Sequence, residues 1–171
     1  AVWDAATGAL ETLWKGHASG VTCLALPPGS PFLVSGGLDK TVRAWPLKGG
    51  AALVFRGHED RVDAVALDPG RGLAASAGHD ATVRLWDLAS NREAGVLSGH
   101  KAPVRSLLFD GSSGWIVSGG DDGFVNVWTI DGGRNPARIG LGAPVSALAL
   151  LAPGRLIVGM KNGGVAVLQI E

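Results

Sequence analysis

Tyrosine is absent from this 171-residue chain, and cysteine and methionine occur once each. A single thiol, Cys23, cannot close an internal disulfide, which excludes a small disulfide-stapled scaffold. Its place in an apolar run makes it a small core residue, and a free thiol fits the reducing interior of a cell, cytoplasmic or nuclear. Excess charge is also missing: 15 basic and 15 acidic residues cancel, and no basic run occurs. That removes the electrostatic footprint of a nucleic-acid binder. No apolar stretch approaches the roughly 20 residues of a membrane-spanning helix, and no signal-peptide pattern is present. Neither nucleic acid nor a membrane is expected as a partner. The four histidines and one cysteine lack metal-ligand spacing. The Gly-Gly pairs at Gly36, Gly119 and Gly132 lack the lysine and helix start of a phosphate loop. No metal and no cofactor are expected. Helical periodicity is lacking too, and 27 glycines and nine prolines argue against helices.

What the chain does have is a repeat. Gly16-His17, Gly57-His58 and Gly99-His100 each open a unit, in steps of 41 and 42 residues. Each unit closes on a tryptophan, Trp45, Trp86 or Trp128, and Trp3 stands 42 residues before the first of these. Between them Ser35, Ser76 and Ser118 align, as do Asp39, Asp80 and Asp122. A fixed period of this size means an architecture in which each unit buries its apolar faces against its neighbours. Most residues are then committed to structure, and function falls to a shared surface.

The frame of Gly-His, Ser, Asp and Trp resembles the WD40 repeat family, and the resemblance covers essentially the whole chain. The literal Trp-Asp pair stands at Trp3-Asp4 and Trp86-Asp87; Pro46 and Thr129 follow the other two tryptophans. A fourth unit is eroded. Leu141 follows Gly140, while Val158, Asn162 and Leu168 stand where Ser, Asp and Trp would be. Asn162-Gly163 still suits a hairpin turn, because both residues tolerate positive φ.

The resemblance implies an all-β fold of four-stranded β-propeller blades. The expected division is 1–15 for the end of a preceding blade, three complete blades at 16–56, 57–98 and 99–139, and a degenerate partial blade at 140–171. Strand patterning agrees: the first unit shows apolar runs at 21–26, 32–35, 42–47 and 51–55, separated by turn residues. The first run of each unit is nearly all apolar, as expected of a strand covered on both faces. The remnant outer strand is expected at 10–14. The segment Gly132-Gly133-Arg134-Asn135-Pro136 reads as an exposed loop tip.

Each intact unit holds His, Ser and Asp, which out of context imitates a nucleophilic triad. The resemblance implies instead a hydrogen-bond chain inside each blade. Its members would be His17, Ser35, Asp39 and Trp45; then His58, Ser76, Asp80 and Trp86; then His100, Ser118, Asp122 and Trp128. Physical necessity points the same way, since a buried indole N–H, hydroxyl and imidazole must each find a partner. No catalytic residue is expected.

For partner binding the resemblance points to the narrow face of the propeller. Its candidate residues are Thr22 and Leu38; Arg61, Asp63 and His79; Arg105 and Asp121; and Ser146 and Lys161, with Gly20, Pro103 and Pro144 beside them. They are expected to be exposed, and their mixed charge suits proteins or peptides. With no tyrosine there, an aromatic cage for methylated lysine is not expected. These features imply a non-enzymatic protein-interaction scaffold. The alternatives are a substrate-receptor module of a ubiquitin ligase and a non-catalytic propeller region of a larger enzyme. The receptor's Trp-Asp-x-Arg signature is not matched, for Trp86-Asp87 runs on to Leu88-Ala89.

WD40-like propellers commonly have seven blades, so the resemblance implies a segment of a larger ring. Blades at about 51° each leave four of them as an open arc. Its end blades would expose apolar residues such as Val2, Leu13, Val165 and Val167, inviting self-association. A sealed four-blade ring and a pair of copies closed into eight blades are the rival arrangements.

Overall fold

The computed structural model describes residues 2–111, 113–130 and 137–170. Its elements are all strands, arranged as five antiparallel sheets. Sheet I holds β1 (Val2–Trp3) and β2 (Leu10–Thr12). Sheet II holds β3 (Val21–Ala25), β4 (Phe32–Gly37), β5 (Thr41–Pro46) and β6 (Leu53–Arg56). Sheet III holds β7 (Val62–Asp68), β8 (Leu73–Gly78), β9 (Thr82–Asp87) and β10 (Arg92–Ser98). Sheet IV holds β11 (Val104–Asp110), β12 (Trp115–Gly120), β13 (Phe124–Thr129) and β14 (Ala137–Gly140). Sheet V holds β15 (Val145–Ala152), β16 (Arg155–Met160) and β17 (Val165–Gln169). Within each sheet consecutive strands are hydrogen-bonded neighbours, so every connection is a hairpin.

The sheets pack face to face through one recurring interface. Val34, Val42 and Phe55 of sheet II form a core with Val65, Leu67 and Trp86 of sheet III. One step on, Ala75, Val83 and Leu97 meet Leu107, Ile116 and Trp128. The third interface joins Val117, Val125 and Val127 to Val145, Leu156 and Val158. Burying a Val or Leu side chain contributes about 1.5–3 kcal/mol, so each interface is a substantial share of the fold's stability.

The first strand of every blade is bulged at the same place. The register shifts between Val21 and Cys23, Val62 and Ala64, Val104 and Ser106, and Val145 and Ala147. A bulge leaves one residue out of the ladder and re-aims its side chain. The residues so placed are Thr22, Asp63, Arg105 and Ser146.

Several expectations need correction. Coverage on both faces holds for β7 and β11, whereas β3 and β15 are largely exposed. The cause is position: among the described residues no full sheet lies beyond II on one side or beyond V on the other. The remnant outer strand is the shorter Leu10–Thr12 rather than 10–14, and the fourth run of the first blade spans Leu53–Arg56 rather than 51–55. Val2 is half-buried instead of exposed, and its neighbour Trp3 is exposed. Leu13, Val165 and Val167 are exposed. The Gly132–Pro136 segment lies outside the described residues. Among those residues β17 pairs with β16 alone and β2 with β1 alone, so no strand pairing seals the arc into a four-blade ring.

Candidate functional site

The His, Ser, Asp and Trp side chains do meet. In sheet II the Trp45 indole N–H donates to Ser35 Oγ at 2.8 Å, and that oxygen lies 2.7 Å from His17 Nε2. His17 Nδ1 lies 2.9 Å from Asp39 Oδ1. In sheet III the same three contacts, through Trp86, Ser76, His58 and Asp80, measure 2.8, 2.7 and 2.8 Å. In sheet IV, through Trp128, Ser118, His100 and Asp122, they measure 2.8, 2.9 and 2.9 Å. Donors and acceptors then run one way. The carboxylate accepts a hydrogen bond from the Nδ1–H, leaving Nε2 to accept from the serine hydroxyl, whose oxygen accepts from the indole.

The aspartates tie this chain to the backbone. Asp39 also accepts the Ala18 N–H and the Thr41 hydroxyl, both at 2.8 Å. Burial pushes the Asp39 and Asp80 carboxyls upward, yet the hydrogen bonds from histidine, the loop N–H and the turn outweigh it. Both are held well below the usual carboxylate range. Asp122 shifts the same way, its burial opposed chiefly by the Lys101 N–H and His100. Burial lowers His100 more than Asp122 raises it, so its imidazole favours the neutral form.

A glycine is required next to each His–Asp pair. A Cβ on Gly120 would stand 2.7 Å from His100 Nδ1 and 2.9 Å from Asp122 Oδ1, and Gly37 and Gly78 are equally confined. The equivalent position in sheet V carries Met160, where histidine and aspartate are replaced by Leu141 and Asn162. That link between three positions was readable in the sequence once the frame was aligned.

As chemistry, these chains hold their groups in place rather than offering them. Ser76 and Ser118 are fully buried, and each hydroxyl is committed between indole and imidazole. The first chain differs only in its surroundings. His17, Ser35 and Trp45 line a cavity of about 690 Å³, with Val21, Leu24, Leu26, Leu33 and Leu47 as its apolar wall. Cys23 is half-buried, and burial pushes its thiol up, which keeps it protonated and unreactive.

The second cluster lies where the bulges and turns gather. Arg105 donates through Nη1 to Asp63 at 2.8 Å and through Nε and Nη2 to Asp121 at 2.8 and 2.5 Å. Arg61 reaches Asp63 at 2.9 Å, His79 lies 3.6 Å from the same carboxylate, and Lys161 reaches Asp121 at 2.7 Å. Sheets III, IV and V are thus linked by one charge network. It corrects the expected exposure. Side chains of Asp63, Arg105 and Asp121 are only 12%, 21% and 18% exposed, because each is paired with opposite charge both within its own blade and across to a neighbouring one. Arg61, His79 and Lys161, at the margins, keep 40%, 37% and 49%.

The guanidinium of Arg105 holds the Asp121 carboxyl below its ordinary range, and Asp121 in turn raises Arg105. Thr22 is not free either: its hydroxyl donates to the Val62 and Gly36 carbonyls. Ser146 bonds the Gly159 carbonyl, and Leu38 is exposed. Sequence reasoning found these positions and missed their pairing. The signal was the alternation of sign between equivalent residues of adjacent repeats, Asp63 beside Arg105 and Asp121 beside Lys161.

Comparison with known proteins fits this geometry. The pattern of the WD domain, G-beta repeat family matches residues 8–46, 51–87 and 91–129. Protein groucho of Drosophila melanogaster is 42% identical over 53 residues, 31% of this chain and 7% of groucho. Protein ROOT INITIATION DEFECTIVE 3 of Arabidopsis thaliana is 44% identical over 46 residues, 27% of this chain and 10% of that protein. The chain therefore spans a small part of these curated relatives. Among solved structures, the computationally designed Ika4 protein superposes with a TM-score of 0.81 at 31% identity, covering 92% of this chain and 95% of its own.

Proposed function

The chain belongs to the WD40 repeat family, and we propose that it is a non-catalytic interaction module whose binding surface is the face built from the strand bulges and turns. WD40 domains generally mediate protein binding, and this chain's version of that surface is prepared for it. The observation that carries the reading is the ion-paired cluster. Asp63, Arg105 and Asp121, with Lys161, fasten sheets III, IV and V to one another, so the exposed groups around them are held in fixed positions before any partner arrives. Preorganisation of this kind lowers the ordering cost of association. Leu38 supplies an apolar contact and Arg61 and Lys161 cationic groups, which suits a protein or peptide segment carrying carboxylates.

The test is site-specific photo-crosslinking in cells that produce the protein. A photoreactive residue at Leu38, Arg61 or Lys161 is expected to give discrete protein adducts, lost on charge reversal of the neighbouring exposed cation. The same probe at Arg92 or Val96 on the outer strand serves as the control. Adducts formed only at the outer strand would overturn the reading.

A further inference from the structure

The turn between the second and third strands has the same shape in sheets II, III and IV. Lys40, Ala81 and Gly123 take its left-handed position, at φ of 64°, 63° and 79°. Their N–H groups bond the carbonyls of Gly37, Gly78 and Gly120 at 3.2, 3.2 and 3.1 Å. In sheet II the side chain at this position is used. Lys40 crosses to the loop that enters sheet III, and its ammonium donates to the Glu59 carbonyl at 2.8 Å. At the junction of sheets IV and V, Gly123 has no side chain to offer. A cleft of about 230 Å³ opens there between the turn and the entering loop. The junction is internal, with described strands on both sides. Its loop, residues 141–144, is one residue shorter than the loop at 57–61 and lies close over the turn. The Leu141 N–H bonds the Gly123 carbonyl at 2.9 Å, and a Cβ on Gly123 would stand 3.4 Å from the Ala143 oxygen.

The walls of this cleft select a cation on an apolar stem. Ala143 lines it and is only 7% exposed, and among the described residues no donor reaches its carbonyl. A buried backbone acceptor calls for a donor, and Lys40 shows which kind the fold supplies at this place. Phe124, also in the wall, stands where sheets II and III have Thr41 and Thr82. Its ring already attracts one cation, the Arg138 guanidinium, 3.8 Å from the ring centroid. Asp122 completes the set. Its carboxyl is held below the usual range and stays ionised, its partner His100 favours the neutral form, and Arg138 is 3.7 Å away. Asp121 adds little, because Arg105 and Lys161 already balance it. The volume sets the size of the guest. Pockets for drug-sized molecules run to about 300–1,000 Å³, so this smaller cleft holds a single long side chain.

We propose that the cleft between sheets IV and V receives a lysine side chain of a partner protein, its stem against Phe124 and its ammonium donating to the Ala143 carbonyl. Lysine suits the cleft better than arginine. A compact ammonium meets a single carbonyl, whereas a guanidinium fork matches the paired oxygens of a carboxylate. The partner then brings a lysine to this junction as well as carboxylates to Arg61 and Lys161. The inference rests on the reading above only for the guest being part of a protein; the cleft itself is tested with a small amine.

The experiment titrates the isotope-labelled 171-residue chain with Nα-acetyl-lysine methylamide and follows backbone amide shifts by NMR. Saturable shifts are expected at Gly123, Gly142 and Ala143, with a midpoint of roughly 1–10 mM, the range for so small a ligand. The norleucine counterpart keeps the stem and lacks the ammonium, and it should bind at least ten-fold more weakly. The arginine counterpart should bind several-fold more weakly. Gly123→Lys should fill the cleft from within and abolish the shifts, since Lys40 shows that this turn accepts lysine. Phe124→Thr, the residue of the other sheets, should weaken binding several-fold and serves if Gly123→Lys does not fold. Equal binding of the norleucine or arginine compound, shifts confined to other loops, or no saturation by about 50 mM (several times the expected midpoint) would overturn the proposal. Crosslinks confined to the outer strand would overturn the protein-binding face and leave this titration unchanged. A flat titration would overturn the cleft and leave the crosslinks unchanged.

Discussion

Replacing Ser76 with alanine should be costly, and replacing Ser35, with the same bonds, should not. In sheet III the Ser76 oxygen sits 2.8 Å from the Trp86 indole nitrogen and 2.7 Å from His58 Nε2, and Ser76 is fully buried. Deleting it strands one donor and one acceptor out of reach of water. Each orphaned buried group costs about 1–3 kcal/mol, so Ser76→Ala should lose about 2–6 kcal/mol. Ser35 makes the same two contacts, at 2.8 and 2.7 Å, and at 2% exposure is itself buried, but it lines the open cavity. Water can take the place of its hydroxyl there, and the cost should fall to about 1 kcal/mol or less. Urea unfolding at a chain concentration where light scattering shows a monomer, followed by tryptophan fluorescence, reads the difference. With a slope of about 2 kcal/mol per molar, Ser76→Ala should lower the midpoint by about 1–3 M and Ser35→Ala by no more than about 0.5 M. Equal costs would show that solvent access does not decide the value of this chain, and a Ser76→Ala midpoint unchanged from the wild type would refute the buried-network argument outright.

Gly120→Ala should destabilise by about 1–3 kcal/mol, since the added methyl collides with the His100–Asp122 pair; a thermal melt matching the wild type would contradict that crowding. Arg105→Ala should cost about 1–2 kcal/mol, because it removes charged hydrogen bonds to two half-buried carboxylates, whereas Arg61→Ala should stay within about 0.5 kcal/mol; melting temperatures of the two variants give the comparison. Stability should fall on acidification in two stages. Below about pH 6.5 the unfolded chain binds a proton at His100 that the folded state resists, and below about pH 4 it binds more at Asp39, Asp80 and Asp122, whose folded carboxyls stay ionised. In both ranges the unfolded state holds the extra protons, so the urea midpoint should decline steadily from pH 7 to pH 3; a rise anywhere in that window would reverse the assigned shifts.

Periodicity determined that the chain is built of repeats, and the resemblance to WD40 repeats implied the four-stranded blades and their hydrogen-bond chains. A 41-residue frame with Gly-His at its start and Trp at its end leaves each unit the same strands, the same turns and the same buried polar groups to satisfy. The charge network was not legible in the sequence, because whether Arg105 meets Asp63 depends on how closely adjacent bulges approach across a blade interface, a distance that no single repeat contains. Burial at the ends was not legible either. Val21 and Val62 are the same residue in the same strand, yet one is exposed and the other fully buried, because burial belongs to the neighbouring sheet. Local sequence sets which face of a strand is apolar; only the tertiary arrangement decides whether anything covers it.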